Sequence, residues 1–484
     1  MNYRMIMRII AHILGLEILF MIPALLIAIF NHNNNVVIAF VQTMIITGVA
    51  AGCAWLIGRS ARKGFYAREG LVTTGIAWIV MSIFGCLPFY FSEAIPHFVD
   101  ALFEIVSGFT TTGSSILSDV EALPDSLLYW RSFSHWVGGM GVLVFLLAVI
   151  PLSGKNEGYT LHILRAESPG PSVGKLVPRM KKTALILYWI YIGLTVLDFL
   201  FLLVGGMPPL EAICTAFGTA GTGGFGVKND SLASYSPYLQ NVTTVFMFLF
   251  GVNFSIYYIL LMRRFKDAFS DEELRLYLGI IFVSILVITL NILPLYDGFL
   301  TALRHAAFQV GTVMSTTGFA TTDFDLWPSL SKTILFILMF GGACAGSTGG
   351  GFKLARYILL FKNLRRNIHE SLHPTEIRKV RVNQVAVDEK ILRNTNAYLV
   401  AYVAIIFATF LIVSLDGFSM ETNLSAVVAT FNNIGPGFAS VGPTCNYSQF
   451  SVLSKLVMIG NMLAGRLEIF PILVLFSRGT WVRK

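Results

Sequence analysis

The stretch Phe109-Thr-Thr-Thr-Gly113 has three counterparts in this chain: Phe217-Gly-Thr-Ala-Gly221, Met314-Ser-Thr-Thr-Gly318 and Phe431-Asn-Asn-Ile-Gly435. Each combines a large apolar residue, three mostly small or hydroxylated residues and a glycine. The pattern is typical of a short helix followed by backbone with exposed carbonyls, because glycine permits backbone angles that other residues disfavour. The glycines recur roughly every hundred residues, which indicates internal duplication.

The composition predicts a membrane protein. Hydrophobic residues make up 55% of the 484 residues, and charged residues only 13%. The first apolar segment is too long for a signal peptide and is kept as a true span. Because about 20 apolar residues form one membrane span, the sequence predicts ten transmembrane helices, near residues 8–30, 36–58, 71–92, 130–151, 183–204, 240–262, 276–296, 332–360, 397–416 and 453–477.

Charges alternate between the two sides of this topology. Basic residues collect at the N-terminus, at 59–68, 155–182, 263–275 and 356–393, and at the C-terminus. Since short cytoplasmic loops are rich in lysine and arginine, both termini are predicted to be cytoplasmic. The net charge of +8 then reflects membrane topology and not nucleic-acid binding. The opposite face is acidic and carries Asp119, Glu121, Asp125, Asp230, Asp323, Asp325 and Glu421.

Each glycine stretch lies in an outward-facing connection and follows a semi-apolar segment too short to cross, at 99–108, 209–217, 300–313 or 423–431. Non-helical backbone at membrane depth is tolerated where protein buries it or where it lines a watery cavity. The predicted fold is an all-α polytopic membrane protein with four tandem helix, half-helix, filter-loop and helix repeats around a central pore. The predicted units are an N-terminal two-helix extension at 1–69 and pore repeats at 70–165, 166–270, 271–390 and 391–484.

Four such loops predict a filter that coordinates a dehydrated monovalent cation through backbone oxygens. Ordinary glycine- and threonine-rich connections between packed helices are the alternative. The register in repeats two and four is open, because Gly224 and Gly437 also precede a phenylalanine, as Gly318 does. Gly221 and Gly435 are preferred because they keep the preceding aromatic residue in phase. The candidate filter residues are Thr110, Thr111, Thr112, Gly113, Thr219, Ala220, Gly221, Thr316, Thr317, Gly318, Asn433, Ile434 and Gly435.

A second element lies in the eighth span, where residues 341–351 contain six glycines. Each glycine costs up to about 1 kcal/mol in a helix relative to alanine, so a break near mid-membrane is predicted, where it would obstruct the pore. Arg466 falls at similar depth, and such a charge usually faces a cavity or partner. The alternatives are a glycine-rich packing surface, an arginine paired with a distant carboxylate, and a Lys353 that snorkels to the cytoplasmic edge. The candidate gate residues are Gly346, Ser347, Thr348, Gly349, Gly350, Gly351, Lys353 and Arg466.

The four loops, the glycine-rich segment and Gly465-Arg-Leu-Glu-Ile-Phe-Pro471 together resemble the Trk/Ktr/HKT superfamily of cation transporters, in particular its TrkH branch of bacterial potassium-uptake subunits. The resemblance spans essentially the whole chain. It implies K+ as the transported ion, with Rb+ also accepted, and a location in the bacterial inner membrane. It also implies a homodimer and a cytosolic nucleotide-binding regulatory subunit of the TrkA type. Carbonyl ligands alone would not exclude Na+ as the transported ion.

Other polar residues are predicted to have structural roles. Glu104, Glu211 and His305 lie in the half-helices and are expected to hold helices together, and Glu17 and His135 are ambiguous. The five cysteines show neither a disulfide framework nor metal-binding spacing. In the longest cytoplasmic connection, residues 379–388 alternate around Asn383-Gln384, which predicts a small hairpin able to dock a partner.

These observations predict a potassium-selective, ion-conducting subunit for uptake across the cell membrane, with no cofactor besides the transported K+. The alternative is a secondary symporter that couples K+ uptake to H+ or Na+. An intramembrane enzyme is disfavoured, since no Ser/His or paired-Asp constellation recurs at matched depth in adjacent spans.

Overall fold

The computed structural model describes residues 1–61, 66–141, 180–376 and 378–481, and most of this part of the chain is α-helical. Two N-terminal helices, Tyr3–Phe30 and Asn34–Gly58, precede four similar units. Each unit contains an outer helix, a half-helix and an inner helix. The outer helices are Ala67–Gly85 continued by Leu87–Phe91, Met180–Val204, Glu272–Ile292 and Glu389–Val413. The half-helices are Phe98–Phe109, Pro209–Gly221, Phe299–Met314 and Met420–Phe431.

The inner helices of the second and fourth units are interrupted where continuous spans were predicted, and that of the third is interrupted at the predicted glycine-rich break. The inner helices comprise Asp125–Gly139, Pro237–Phe250 with Phe254–Leu261, Ser329–Gly341 with Leu354–Leu372, and Val452–Arg466 with Phe470–Phe476. The second bends by 91° at its break. The fourth breaks where Glu468 and Ile469 take positive φ angles, which cannot continue a right-handed helix. The end of the span predicted at 130–151 and most of the basic connection 155–182 lie outside the described residues.

Six helices in the described ranges are long and apolar enough to cross a membrane: Tyr3–Phe30, Asn34–Gly58, Arg68–Phe91, Leu185–Val204, Glu272–Leu295 and Glu389–Asp416. They are the N-terminal pair and the four outer helices. The bent pair of the second unit passes the same test if it is counted as one span. The N-terminal pair and the four outer helices are therefore each long enough to cross a membrane, and the helix breaks described above lie in the inner helices.

The four units close into a ring. Each half-helix packs on the outer and inner helix of its own unit, and each inner helix also contacts the half-helix of the next unit. The fourth inner helix, Val452–Arg466, contacts the first half-helix, Phe98–Phe109, and so completes the circle. With 12 residues, the first half-helix is about 18 Å long, too short to span a membrane. All four half-helices end inside the ring, in fully buried residues.

The same ranges contain short helices at Phe265–Phe269 and Arg478–Trp481 and 3-10 turns at Leu293–Leu295, Phe324–Leu326, Ser414–Asp416 and Ala439–Val441. The predicted hairpin is confirmed: strand β1, Arg381–Val382, pairs antiparallel with β2, Val385–Ala386. Both turn residues have positive φ, 49° at Asn383 and 64° at Gln384, as a two-residue hairpin turn of type I′ requires.

Candidate functional site

The four loops that follow the half-helices share one backbone conformation. In each, a residue with a left-handed φ is followed two residues later by a glycine with positive φ. The pairs are Thr111 and Gly113, Thr222 and Gly224, Thr316 and Gly318, and Asn433 and Gly435, with φ from 54° to 60° in the first members and from 73° to 100° in the glycines. Alternation of left-handed and other conformations lets successive carbonyls point to the same side of the chain, which a row of ion ligands facing one pore requires.

The predicted register is wrong in the second repeat, whereas the preferred register in the fourth matches this backbone pattern. Thr219, Ala220 and Gly221 are the last residues of the half-helix Pro209–Gly221, and the loop consists of the next three residues. Gly221 is required for another reason, because a Cβ there would collide with the carbonyl oxygen of His135 on the first inner helix. A packing glycine therefore stands where the spacing predicted a filter glycine.

Each loop glycine lies against the backbone of the next loop, and the four contacts follow one another in a closed order, from the first loop through the second, third and fourth and back to the first. A Cβ added to any of them would approach the carbonyl oxygen of the next loop far inside van der Waals contact. Gly113 would meet Gly223 O, Gly224 would meet Thr317 O, Gly318 would meet Ile434 O, and Gly435 would meet Thr112 O. In every case the oxygen belongs to the residue just before the neighbouring glycine. The carbonyls immediately preceding the four glycines therefore form one ring that tolerates no side chain at those glycines.

A small cavity of about 120 Å³ lies on the ring and is lined by residues of all four loops. Gly113, Gly224, Gly318 and Gly435 all line it, together with polar residues such as Ser114 and Asn229. Gly221 is not part of this lining, which agrees with the corrected register. The four loops thus open onto a common vestibule.

Several polar side chains of the loops brace the ring. Thr316 Oγ1 accepts a hydrogen bond of 2.7 Å from Gly350 N. Asn433 Nδ2 donates to Thr112 Oγ1 at 2.9 Å and to Met462 O at 3.0 Å. These groups are buried and engaged, whereas Thr111 Oγ1 and Asn433 Oδ1, also buried, have no hydrogen-bond partner among the described residues.

A buried ion pair holds the first two loops together. Arg131 Nε lies 2.6 Å from Glu104 Oε1, and Arg131 Nη1 donates to Gly226 O at 3.0 Å. Glu104 also accepts from Ile116 N at 2.9 Å, and the Arg131 guanidinium lies 3.5 Å from the Phe225 ring centroid. Arg131 therefore connects the first half-helix to the loop of the second repeat. Arg131 was not among the candidate site residues, although its position inside a predicted span was a usable signal.

His135 lies one turn after Arg131 and likewise connects the first half-helix to the loop of the second repeat. Its Nδ1 lies 2.7 Å from Gly108 O, and its Nε2 accepts from Phe225 N at 3.3 Å. Glu211 accepts from the Tyr235 hydroxyl at 2.5 Å, and His305 Nδ1 lies 3.0 Å from Thr321 Oγ1. Burial, and then the hydrogen bond to Glu211, raise the pKa of Tyr235 above its ordinary value, so this hydroxyl is a stable neutral donor. These contacts connect half-helices, inner helices and loops to one another.

The glycine segment lies directly beneath the third and fourth loops. It runs between the helices Ser329–Gly341 and Leu354–Leu372, with positive φ at Gly342, Gly346 and Gly351. A Cβ on Gly349 would come within 2.9 Å of Ser315 O, and one on Gly350 within 2.9 Å of Asn432 O. The segment is also tied to the break of the second inner helix, since Phe254 N donates to Gly346 O at 3.0 Å. The helix break predicted here is therefore present, and it touches the loops from below.

Arg466 joins three repeats beneath the ring. It donates from Nη1 to Thr348 O at 2.7 Å, and from Nη2 to Gly139 O at 2.8 Å and to Gly138 O. The first acceptor belongs to the glycine segment and the other two to the end of the first inner helix. Lys353 Nζ donates to Gly349 O within the segment. Arg466, from the fourth repeat, thus ties the third repeat to the first.

Other charges near this level are paired. Glu468, two residues after Arg466, forms a buried ion pair with Arg356. On the outer side, Lys332 lies 2.7 Å from Asp325 Oδ1 and 3.1 Å from Glu421 Oε1, so part of the acidic face is compensated. Within the described ranges, no group of three or more His, Cys, Asp or Glu side chains is arranged to hold a metal ion.

Comparison with known proteins gives a consistent result. A family model described as TrkH, cation transport protein, matches residues 32–481. The Trk system potassium uptake protein TrkH of Escherichia coli (strain K12) is 34% identical over 492 residues, which cover 99% of this chain and 100% of that relative. TrkG of the same strain is 32% identical over 493 residues, covering 98% of each chain. The crystal structure of the potassium transporter TrkH from Vibrio parahaemolyticus superimposes with a TM-score of 0.87 and 29% identity over 100% of both chains.

Proposed function

The chain belongs to the TrkH family of Trk potassium-uptake transporters, and from that premise we propose that it is a K+-selective conducting subunit whose ion passes through the ring of four loops. A member of this family is a membrane transporter and not an enzyme. The observation that carries the proposal is the closed order in which each loop glycine lies against the carbonyl of the next loop. A ring of backbone carbonyls can replace the hydration shell of a monovalent cation.

The ligands in this proposal are backbone oxygens of residues 110–112, 222–223, 316–317 and 433–434, beside the glycines Gly113, Gly224, Gly318 and Gly435. Each half-helix ends at its loop, so its C-terminus contributes a partial negative charge of about half an elementary charge toward the ion. The cation therefore meets oxygen dipoles from four directions. The predicted division into an N-terminal pair and four pore repeats follows the same arrangement.

Proteoliposome flux tests the proposal. The purified chain is reconstituted, K+ or Rb+ uptake is followed under an imposed K+ gradient, and Na+ uptake is measured in matched vesicles. We expect K+ and Rb+ to move down their electrochemical gradient, faster than Na+ and without a gradient of H+ or Na+. Stoichiometric movement of H+ or Na+ with K+ would replace the channel with the symporter predicted as the alternative. Equal K+ and Na+ uptake would refute a K+-selective filter.

The glycine segment and Arg466 form the gate in this proposal. The segment lies beneath the loops, and Arg466 places a positive charge there while it holds Thr348 O and the carbonyls of Gly138 and Gly139. A cation leaving the ring would meet both a backbone obstruction and a like charge. Opening requires the Arg466 contacts to break and the segment to move aside.

Replacing Arg466 by alanine is expected to raise K+ flux about tenfold, because a loss of ~1.4 kcal/mol from a barrier gives that factor. The barrier falls since three hydrogen bonds to the segment and the first inner helix are lost together with the positive charge. Flux in proteoliposomes without any partner protein is the measurement. Arg378→Ala removes a cation paired at the surface with Glu376 and should leave flux unchanged. Unaltered or reduced flux in Arg466→Ala would rule out the gate.

The chain is further proposed to lie in the bacterial inner membrane with both termini in the cytoplasm, as the positions of its basic connections favour. We also propose a homodimer and a cytosolic nucleotide-binding regulatory subunit that docks on the cytoplasmic side. The hairpin Arg381–Ala386 is exposed on its turn and second strand, which supports it as a docking element. Accessibility of terminal tags in oriented vesicles tests the orientation, and cross-linking in membranes tests the dimer.

A further inference from the structure

A single carboxylate binds both the glycine segment and the helix that follows it. Glu273 Oε1 accepts from Ala345 N at 2.7 Å, in the middle of the segment, and from Ala355 N at 2.9 Å, in the first turn of the helix Leu354–Leu372. Glu273 is buried, with 8% of its surface exposed. Without it, a buried donor at Ala345 and a partly buried donor at Ala355 would lose this acceptor, and a buried donor left without a partner is destabilising. The loop shape therefore depends on where Glu273 lies.

The two residues before Glu273 hold the turn of the cytoplasmic hairpin. Glu272 N donates to Asn383 Oδ1 at 2.9 Å, and Asn383 N donates to Glu272 Oε1 at 3.1 Å. Asn383 Nδ2 donates to Asp271 Oδ2 at 2.7 Å. Asn383 thus makes three hydrogen bonds to two consecutive residues, and the next residue along the chain is Glu273.

The hairpin is also fixed to the helix that follows the glycine segment. Val380, at its base, packs in a small apolar cluster with Leu359 of the helix Leu354–Leu372 and with Leu392 of the fourth outer helix. Lys362, on the same helix as Leu359, pairs with Glu272 and donates to Arg381 O at 2.8 Å. The hairpin therefore contacts both the start of the third outer helix and the helix after the segment.

We infer that Glu273 is a positioning residue for the glycine segment and that Asn383 is the point through which a displacement of the hairpin reaches it. This inference rests on the proposed gate. A partner that binds the hairpin and moves its turn pulls on Asp271 and Glu272. Because Glu273 is the next residue in the same helical turn, its carboxylate moves relative to Ala345 and Ala355, and the segment loses its shared acceptor. Residues 271–273 provide a continuous set of contacts through which coupling of this kind can travel.

The two turn residues allow a matched test. Both have positive φ, so glycine relieves the backbone equally at either position, but only Asn383 holds residues 271 and 272 with its side chain. In the full-length protein, Asn383→Gly is expected to speed amide hydrogen exchange at Ala345 and Ala355 and to raise basal K+ flux about threefold. Gln384→Gly should leave both at the wild-type level. Equal behaviour of the two variants would overturn the inference.

Variants of Glu273 test the other end of the link. Glu273→Ala removes the acceptor and should raise exchange at Ala345 and Ala355 more than Asn383→Gly does. Glu273→Gln keeps one acceptor oxygen and should restore slow exchange, which separates hydrogen bonding from charge. Unchanged exchange in Glu273→Ala would refute the positioning role.

Failure of the gate itself is recognised separately. If Arg466→Ala leaves flux unchanged while Asn383→Gly still speeds exchange of the segment, the mechanical link stands and the gate proposal falls. If Arg466→Ala raises flux while Asn383→Gly behaves as Gln384→Gly, the gate stands and this inference falls.

Discussion

Gly224→Ala is expected to reduce K+ flux at least about tenfold, a change that corresponds to ~1.4 kcal/mol in a conduction barrier, and to reduce the preference for K+ over Na+. Gly224 has a φ of 73°. An alanine Cβ there would lie 2.8 Å from the carbonyl carbon of Gly318 and 2.9 Å from Phe319 N, with the Thr317 carbonyl oxygen closer still. Relief of this collision must displace the third loop, and with it a carbonyl of the ring. Proteoliposome uptake of K+ and Na+ measures both effects.

Gly206→Ala is the matched control. Gly206 lies in the same repeat with a φ of 83°, but a Cβ there meets no heavy atom within 4 Å. The two variants share the backbone strain of a non-glycine residue in a left-handed conformation, about 1–2 kcal/mol, and differ in the collision with the neighbouring loop. If Gly206→Ala impaired selectivity as much as Gly224→Ala does, the effect would be general strain and the filter assignment of Gly224 would be wrong.

The second repeat shows that sequence spacing alone cannot predict which glycine belongs to the loop. Phe217 and Gly221 reproduce the spacing of Phe109 and Gly113, yet the second half-helix continues through Gly221. Spacing cannot distinguish a glycine chosen for positive φ from one chosen because a neighbouring helix passes close by. That distinction depends on His135, which is distant in sequence. In the fourth repeat Gly435 follows a left-handed Asn433, and there the preferred register and the structure agree.

The breaks in the inner helices also differ in whether the sequence alone could predict them. Six glycines in 341–351 interrupt a helix by their own conformational preference, and the sequence predicted that break. The bend between Phe250 and Phe254 contains a single glycine, Gly251, and depends on contacts with the glycine segment, such as Cys344 N to Gly251 O at 3.1 Å. The role of Glu273 could not be predicted either, because an acidic residue in the first turn of a helix is common for reasons of the helix dipole.

The loops are alike in backbone and differ in what supports them. The first two are joined by a buried ion pair, Arg131 with Glu104, whereas the fourth is held by Tyr447, whose hydroxyl donates to Gly435 O at 2.8 Å. The third rests on the glycine segment through Thr316. Among the described residues, the third loop alone has a left-handed residue, Thr316, that accepts a direct hydrogen bond from the segment proposed as the gate.

The largest loss of stability is expected from breaking the buried pair of Arg131 and Glu104. In Arg131→Met, Glu104 stays buried and loses its positive partner, and removing one partner of such a pair typically costs about 3–5 kcal/mol. Denaturation in detergent, followed by tryptophan fluorescence, measures the change in unfolding free energy. Lys332→Met is the control, since its pair with Asp325 is partly exposed and should cost less than about 1 kcal/mol. Equal losses of unfolding free energy in the two variants would show that the buried Arg131 pair contributes no more stability than the partly exposed Lys332 pair.

The double variant Glu104→Leu with Arg131→Met separates stability from conduction. Replacing both members of a buried ion pair by apolar residues is often neutral for stability, so we expect the double variant to unfold closer to wild type than Arg131→Met alone does. Conduction should not recover, because Ile116 N and Gly226 O lose the partners that fix the first two loops. A double variant with restored stability and wild-type K+ selectivity would show that the pair serves folding alone. Restored stability with impaired selectivity would assign the pair to the shape of the ring.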